Sequence, residues 1–399
     1  MMEKEQKQKI CQLLVRKIRQ EKEWSLESLA HGICSVSYLS KLEKGDALCS
    51  EEILSLLMKR LKISQPFGNE ADQKNAEYLL GLLQEGRFEQ ALAFMNEETR
   101  FSENWLQSVE GKLYLNFFGT YYPETEHQTE KLPELEGHIE LFDPPLQALW
   151  FLCRHQWKQA QLSCPQGWIF FASASMMYSV REKEFEILPL LQKAYLQAAD
   201  EGNIPLMAVC SLVQATVCSN MADQKEALRL HQRTLRILKS WPDSGMLDDV
   251  RYNMAACLLE QGEFRKALEA LEQISRPKVM AYHKMAVCYE QLSQNEKALA
   301  ALEKAADPHM DREGWDESLL EQVLGLIRFR INDPDHLHNP EYGACLMAVF
   351  EKLTELDCHI GFLRFHLPWV IQWLKANRQY QKIVFILETF PCRPAFEPS

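Results

Sequence analysis

Apolar residues recur at helical spacing along the chain, and the clearest local signals lie in the first 65 residues. Ile10, Leu13, Leu14 and Ile18 fall on one face of a helix predicted over about 5–21. Ser25 is placed to cap a short helix carrying Leu26, Leu29 and Ala30, which stops at His31-Gly32, where glycine tolerates the angles that end a helix. A third helix runs from near Ser35 to Gly45. Ser50, with Glu51 and Glu52, opens a fourth whose apolar stripe is Ile53, Leu54, Leu57 and Leu61.

Two short helices about a glycine-containing turn, with a further helix on each side, form the helix-turn-helix pattern. At 100° per residue the third helix has two distinct sides. Ser35, Tyr38, Leu39 and Leu42 share one, while Ser37, Ser40, Lys41 and Lys44 share the other, a small, polar and basic face suited to a major groove. There hydroxyls bond base edges or phosphates, Lys41 reaches guanine O6 and N7, and Val36 meets a thymine methyl. The candidate DNA-binding residues are Ser35, Val36, Ser37, Tyr38, Ser40, Lys41 and Lys44. Arg16, Lys17, Arg19 and Lys22 are added as phosphate contacts that position the module without reading sequence.

Residues 64–75, with Pro66, Gly68 and Asn69, read as a linker, so the predicted division is a DNA-binding domain over 1–64, a linker over 65–75 and a second domain over 76–399. The second part repeats itself. Ala91, Ala160, Ala227, Ala267 and Ala298 anchor a recurring unit, with Leu79, Ala148, Ala215, Ala255 and Ala286 twelve residues earlier. Nine earlier stand Leu82, Phe151, Cys218, Leu258 and Tyr289, and three earlier Phe88, Trp157, Gln224, Phe264 and Asn295. Small residues on two successive helices, a large residue beside them and a turn such as Gly86 or Gly262 between them are the tetratricopeptide arrangement. Intervals of 69 and 67 residues between the first three anchors are close to twice the usual unit, so each predicts one degenerate repeat within it. Residues 100–145 break the pattern, and Tyr380 with Ile383 reads as a degenerate last repeat. The predicted fold class is therefore all-α: an N-terminal helix-turn-helix domain followed by a right-handed tetratricopeptide-repeat superhelix.

Charge sharpens the division. The net charge is -12, yet residues 1–65 hold 12 Lys and Arg against 9 Asp and Glu, and residues 66–399 hold 32 against 47. A basic module joined to an acidic body points to different partners for the two. The twelve cysteines show no metal or disulfide spacing and read as reduced thiols of a cytoplasmic chain. The polar start and the absence of an apolar run of about 20 residues predict neither a signal peptide nor a membrane partner. No nucleotide-binding, metalloprotease or serine-hydrolase motif is present, so no enzyme activity and no cofactor is predicted. Asp333, Asp335, His336 and His338 lie in the stretch from Asn332 to Pro340, with Pro334 within it, in what reads as an interhelical loop rather than a metal site.

Leu29-Ala30 before the turn and the run from Ser35 to Gly45 after it, ending Leu42-Glu43-Lys44-Gly45, resemble the lambda-repressor-type (Xre-like) helix-turn-helix, with a turn about one residue shorter than in phage repressors. The Ile33-Cys34-Ser35 and Ser37-Tyr38-Leu39-Ser40-Lys41-Leu42 wording resembles the RRNPP group, the peptide-pheromone-sensing regulators of Gram-positive bacteria. Tyr252-Asn253-Met254-Ala255 is similar to the wording of that group's peptide groove. The first helices of a solenoid line its concave side, and an extended peptide there needs donors and acceptors for its main chain, which Asn and Gln supply together. Asn253 and Lys284, each two residues before its repeat's packing alanine, lead the candidate peptide-binding set, with His283, Gln214 and Asn220. The resemblance implies a cytoplasmic homodimeric transcription regulator that binds operator DNA and a short signalling peptide in quorum sensing. The alternative is a tetratricopeptide adaptor, or a response-regulator phosphatase or antagonist, as in members of the group that lack the DNA-binding module.

Overall fold

The computed structural model describes residues 4–47, 49–63, 66–123, 132, 138–180, 184–312, 314–355 and 360–389. Among them every regular element is a helix. Two compact units divide the chain, Met1–Met207 and Ala208–Ser399.

The first unit opens with α1 (Lys4–Glu21), α2 (Leu26–Ala30), α3 (Val36–Lys44) and α4 (Glu51–Leu61). Each short helix starts where a serine hydroxyl replaces a missing backbone partner. Ser25 accepts from the amide of Ser28, Ser35 from that of Tyr38 and Ser50 from that of Ile53. Gly45 ends α3 in the left-handed region at φ 79°. Leu14, Leu29, Leu39, Leu42, Leu57 and Leu61 are fully buried, and each such side chain contributes about 1.5–3 kcal/mol. On α1 the buried stripe is Ile10, Cys11, Leu14, Val15 and Ile18. Leu13, expected on that face, is instead 38% exposed.

From Pro66 onward the segment read as a linker is built structure. Phe67 is buried, and the Pro66 carbonyl accepts from the Glu110 amide at 3.0 Å. A side chain on Gly68 would lie 2.5 Å from the Trp105 ring, so only glycine fits there. Asn69 and Asp72 then form a reciprocal capping box that starts α5 (Glu70–Gln84). The unit continues through α6 (Phe88–Met95), α7 (Glu103–Leu106), α8 (Val109–Tyr121), α9 (Pro144–Cys153), α10 (Trp157–Ser163), α11 (Gly167–Ser179) and α12 (Glu184–Glu201). The division expected at 64 and 76 thus falls inside one compact unit. Within it Lys17 Nζ lies 2.5 Å from Glu140, and His138 Nε2 lies 3.1 Å from Glu21.

The boundary falls in the first turn of α13 (Ile204–Asn220). The second unit then holds α14 (Gln224–Leu238), α15 (Ser244–Glu260), α16 (Phe264–Leu271), α17 (Val279–Gln291), α18 (Asn295–Ala305), α19 (Glu317–Asn332), α20 (Pro340–Glu355), α21 (Ile360–Ala376) and α22 (Tyr380–Thr389). The pairs α5–α6, α9–α10, α13–α14, α15–α16 and α17–α18 carry the repeat. All five anchor alanines, and all five partners twelve residues earlier, have no accessible surface. In four of the five pairs both residues are alanine, and backbones approach closely there because neither side chain extends beyond a methyl; α5 carries Leu79 at that place. Five residues before each anchor stands a left-handed residue: Gly86, His155, Ala222, Gly262 and Ser293. Its successor donates its amide to the carbonyl nine residues before the anchor, at Leu82, Phe151, Cys218, Leu258 and Tyr289. Arg378, with φ 56°, repeats this five residues before buried Ile383, which places the last repeat on α21 and α22. The degenerate repeat expected between Ala160 and Ala227 is the pair α11–α12. The one expected between Ala91 and Ala160 falls partly on 124–131 and 133–137, outside the described residues.

The Asp333–Asn339 loop spends its polar groups on itself, with His338 Nδ1 2.7 Å from Asp335 and Asn339 donating to Asp333 at 2.9 Å. Cysteines among the described residues are free thiols. No described helix is long and apolar enough to cross a membrane.

Candidate functional site

Two places gather the expected functional residues, one in each unit. On α3, buried Leu39, Leu42 and Glu43 fix the inner side, while Val36, Ser37, Lys41 and Lys44 are exposed and Ser40 is half-buried. The outward set is thus held on a helix whose opposite side cannot turn. Ser35 commits its hydroxyl to the α3 cap. Tyr38 is half-buried with its hydroxyl against Cys49.

The basic residues of α1 divide. Arg16 is exposed, and Lys17 pairs with Glu140. Arg19 leaves the phosphate-contact set. Its Nε and one terminal nitrogen donate to the two oxygens of Glu43 at 2.6 and 2.7 Å, and the other donates to the Trp24 carbonyl at 2.7 Å. The two side chains are 11% and 5% exposed, so this guanidinium ties α1 to α3 and faces no solvent groove. The Glu43 hydrogen bond holds its pKa above the ordinary value. Lys22 donates to the Leu61 carbonyl at the end of α4.

In the second unit α21 meets α17 and the last residues of α13 and α15. Arg364 donates to Glu260 at 3.1 Å and to the Asn220 carbonyl at 3.3 Å. Phe365 and His366 pack on His283, with centroids 5.6 and 6.2 Å away. At these contacts α21 closes part of the surface along the first helices that the sequence suggested as a groove.

What remains is a cavity of about 240 Å³ lined by Thr216, Ser219, His231, Tyr252, Asn253, Ala256, Cys257, Glu260, Lys284, Gly361, Phe362 and Phe365. Asn253 and Lys284 meet at it. The other three expected residues do not line it. Gln214 accepts from Arg233 at 2.5 Å between α13 and α14, His283 is buried against α21, and Asn220 serves Arg364 through its carbonyl. Sequence reasoning missed Glu260 and the α21 residues. The α15 contribution was legible, since residues 252, 253, 256, 257 and 260 form one helical stripe.

The electrostatics of the cavity are uneven. Glu260 has two partners, Arg364 and Gln224, whose Nε2 lies 2.5 Å away. Burial pushes its carboxyl up, opposed by Arg364, Lys284 and Gln224. Burial holds His231 down at about 4 and pushes the Cys257 thiol up to about 12, so neither is charged at neutral pH. The Lys284 ammonium sits over three rings, 4.8 Å from the Tyr252 centroid, 5.5 Å from Phe362 and 5.0 Å from Phe365. Ring faces stabilise a cation without accepting its hydrogen bonds.

Residues 15–64 match the helix-turn-helix family. Transcriptional activator NprA of Geobacillus stearothermophilus is 23% identical over 269 residues, 60% of this chain and 66% of that one. The chain thus matches just under two thirds of that relative's length. The crystal structure of Bacillus thuringiensis PlcR in complex with the peptide PapR7 and DNA is 14% identical, with a TM-score of 0.34 over 80% of this chain and 97% of that chain. The apo form of RapI is 12% identical, with a TM-score of 0.48 over 78% and 98%.

Proposed function

We propose that this chain, a member of the RRNPP group of regulators, is a cytoplasmic transcription factor whose hold on operator DNA is set by a short signalling peptide bound in its second unit. The observation that carries the DNA half is the α3 face of Ser37, Lys41 and Lys44, set outward by the burial of Leu39, Leu42 and Glu43 behind it. Residues 1–64 act as the reading module, with Val36 and Ser40 beside the same groove and Arg16 on the backbone. Two copies of the chain occupy paired half-sites, because one short helix reads too few bases to select an operator. In the second unit, Asn253 and Lys284 offer a peptide donors and an acceptor in the cavity. The peptide acts by favouring one of two arrangements of the chain, and so changes the separation or mobility of the two reading modules.

The test uses DNA from immediately upstream of the protein's own coding region. Ser37→Ala with Lys41→Ala abolishes sequence-selective retention of that DNA while leaving the thermal unfolding profile in place. Undiminished selectivity in the double variant removes α3 as the reading helix.

A further inference from the structure

We propose that the cavity of the second unit binds a carboxylate, and that Lys284 is the residue that selects it. The inference rests on the peptide reading above and names the group on the peptide that this site takes.

The argument starts from a charge left over. Lys284 is 5% exposed and lines the cavity, yet it makes no hydrogen bond or ion pair among the described residues. A buried cation without a counter-charge is costly, and native interiors supply one. The walls do not. Glu260, the carboxylate among the lining residues, is taken by Arg364 and Gln224. The Cys257 thiol carries no charge to offset it, and neutral His231 adds no second positive one. With Glu260 and Arg364 cancelling, the described residues of the site leave one positive charge, on Lys284.

The surroundings also decide the kind of anion. Tyr252, Phe362 and Phe365 hold the ammonium at its flanks through their faces. Its three N–H donors then need acceptors, and the cavity is the place from which they can come. One charge calls for one charge. A phosphate dianion would need a second free cation, and Arg364 is already spent on Glu260. A carboxylate matches the charge, and a cavity of about 240 Å³ falls below the roughly 300 Å³ at which pockets begin to hold drug-sized molecules. It takes the end of a peptide or one acidic side chain, with Asn253 beside it to bond an adjoining amide.

The two sources of that carboxylate, the peptide's free C-terminus and an Asp or Glu side chain, are separated with four random hexapeptide pools. Two pools are free acids and two are C-terminal amides, and one of each is made without Asp and Glu. Each is passed over the immobilised full-length protein, and retained sequences are read by mass spectrometry. Retention of the acid pool lacking Asp and Glu over the matching amide pool, by about tenfold or more, supports the inference with the C-terminus as source. Retention of amides carrying Asp or Glu at a fixed position, by the same margin, supports it with the side chain as source. Lys284→Met, in which the thioether fills the ring cage, loses either preference, and Lys284→Arg keeps it. Equal retention of the acid and amide pools lacking Asp and Glu, with no acidic residue favoured in the other two, overturns the carboxylate while leaving peptide binding intact. No retention from any pool overturns peptide binding itself, and this inference with it. The wild-type comparison decides the matter even if Lys284→Met does not fold.

Discussion

Arg19 is the residue on which a charge-counting view of the DNA module and its geometry disagree most sharply, and the disagreement is measurable. Removing Arg19 as Arg19→Met strands Glu43, whose side chain is 5% exposed and too short to reach water from the inner side of α3. It also removes the two hydrogen bonds of 2.6 and 2.7 Å and frees the Trp24 carbonyl. A buried charge left alone costs about 3–5 kcal/mol, and this module edge sits at the lower end. The opposite deletion, Glu43→Leu, leaves a guanidinium that is 11% exposed and long enough to swing its charge outward, so its cost is about 1–2 kcal/mol. Arg19→Met with Glu43→Leu leaves no stranded charge and recovers most of the stability, because apolar groups of similar volume replace a buried pair at little cost. Hydrogen exchange at the α3 amides reads these three steps locally. DNA affinity over a salt series reads the function. Removing a cation that neutralises a phosphate makes the logarithmic salt dependence shallower by about 0.9, whereas removing an internal strut weakens binding only as far as α3 opens. The double variant is therefore expected to match the wild type in both α3 protection and salt slope. A double variant with wild-type protection and a slope shallower by about one would return Arg19 to the DNA interface and refute the assignment.

Asn253→Ala weakens affinity for a peptide encoded beside the gene by about 1–3 kcal/mol if its amide satisfies buried main-chain groups, and equal titration curves would place the binding group elsewhere. Ala222 holds φ 63° at a repeat turn where Gly262 holds 73° with open space around it. Ala222→Gly is therefore expected to raise the stability of the second unit by about 0.5–1 kcal/mol and Gly262→Ala to lower it by about 1 kcal/mol, and shifts of the same sign in thermal unfolding would contradict this. Burial holds His231 and His366 at about 4 against 6.5 for a free imidazole. As pH falls from 6.5 towards 4 the unfolded chain takes up protons that the folded one refuses, so roughly 3 kcal/mol per histidine is lost on the acid side and none above neutrality. Denaturant unfolding of His366→Leu should show a flatter acid limb than the wild type between pH 7 and about pH 4.5, and parallel limbs would refute it.

The repeat was legible because its requirements are local. Two helices touching at alanine need small residues twelve apart, and the turn between them needs a left-handed residue at a fixed place, so Gly86 and Gly262 announced two turns outright. His155, Ala222, Ser293 and Arg378 adopt the same conformation without announcing it, since the repeat packing sustains a strain that those residue types do not advertise. The α3 face was legible for the same local reason, one period read on one helix. What periodicity does not carry is partnership between distant helices. Nothing within α21 states that it will meet α13, α15 and α17, far earlier in the chain.

A signal nonetheless existed. Glu43 stands beside Leu42 and four residues after Leu39, on the stripe that had to be buried, and an acid there requires a cation. Arg19, four residues from Val15 on α1, supplies it. Arg364 and His366 stand in the apolar run from Gly361 to Leu374, while Glu260 and Lys284 lie on helices packed around Ala255 and Ala286. Charged residues in segments that must lose water have few permissible partners other than one another. Pairing those few by charge gives Arg364 to Glu260, as observed, and leaves Lys284 with no carboxylate hydrogen-bonded to it among the described residues. The residue that this matching does not place among the described side chains is a cation of the cavity wall, and the carboxylate proposed above is the partner it would take.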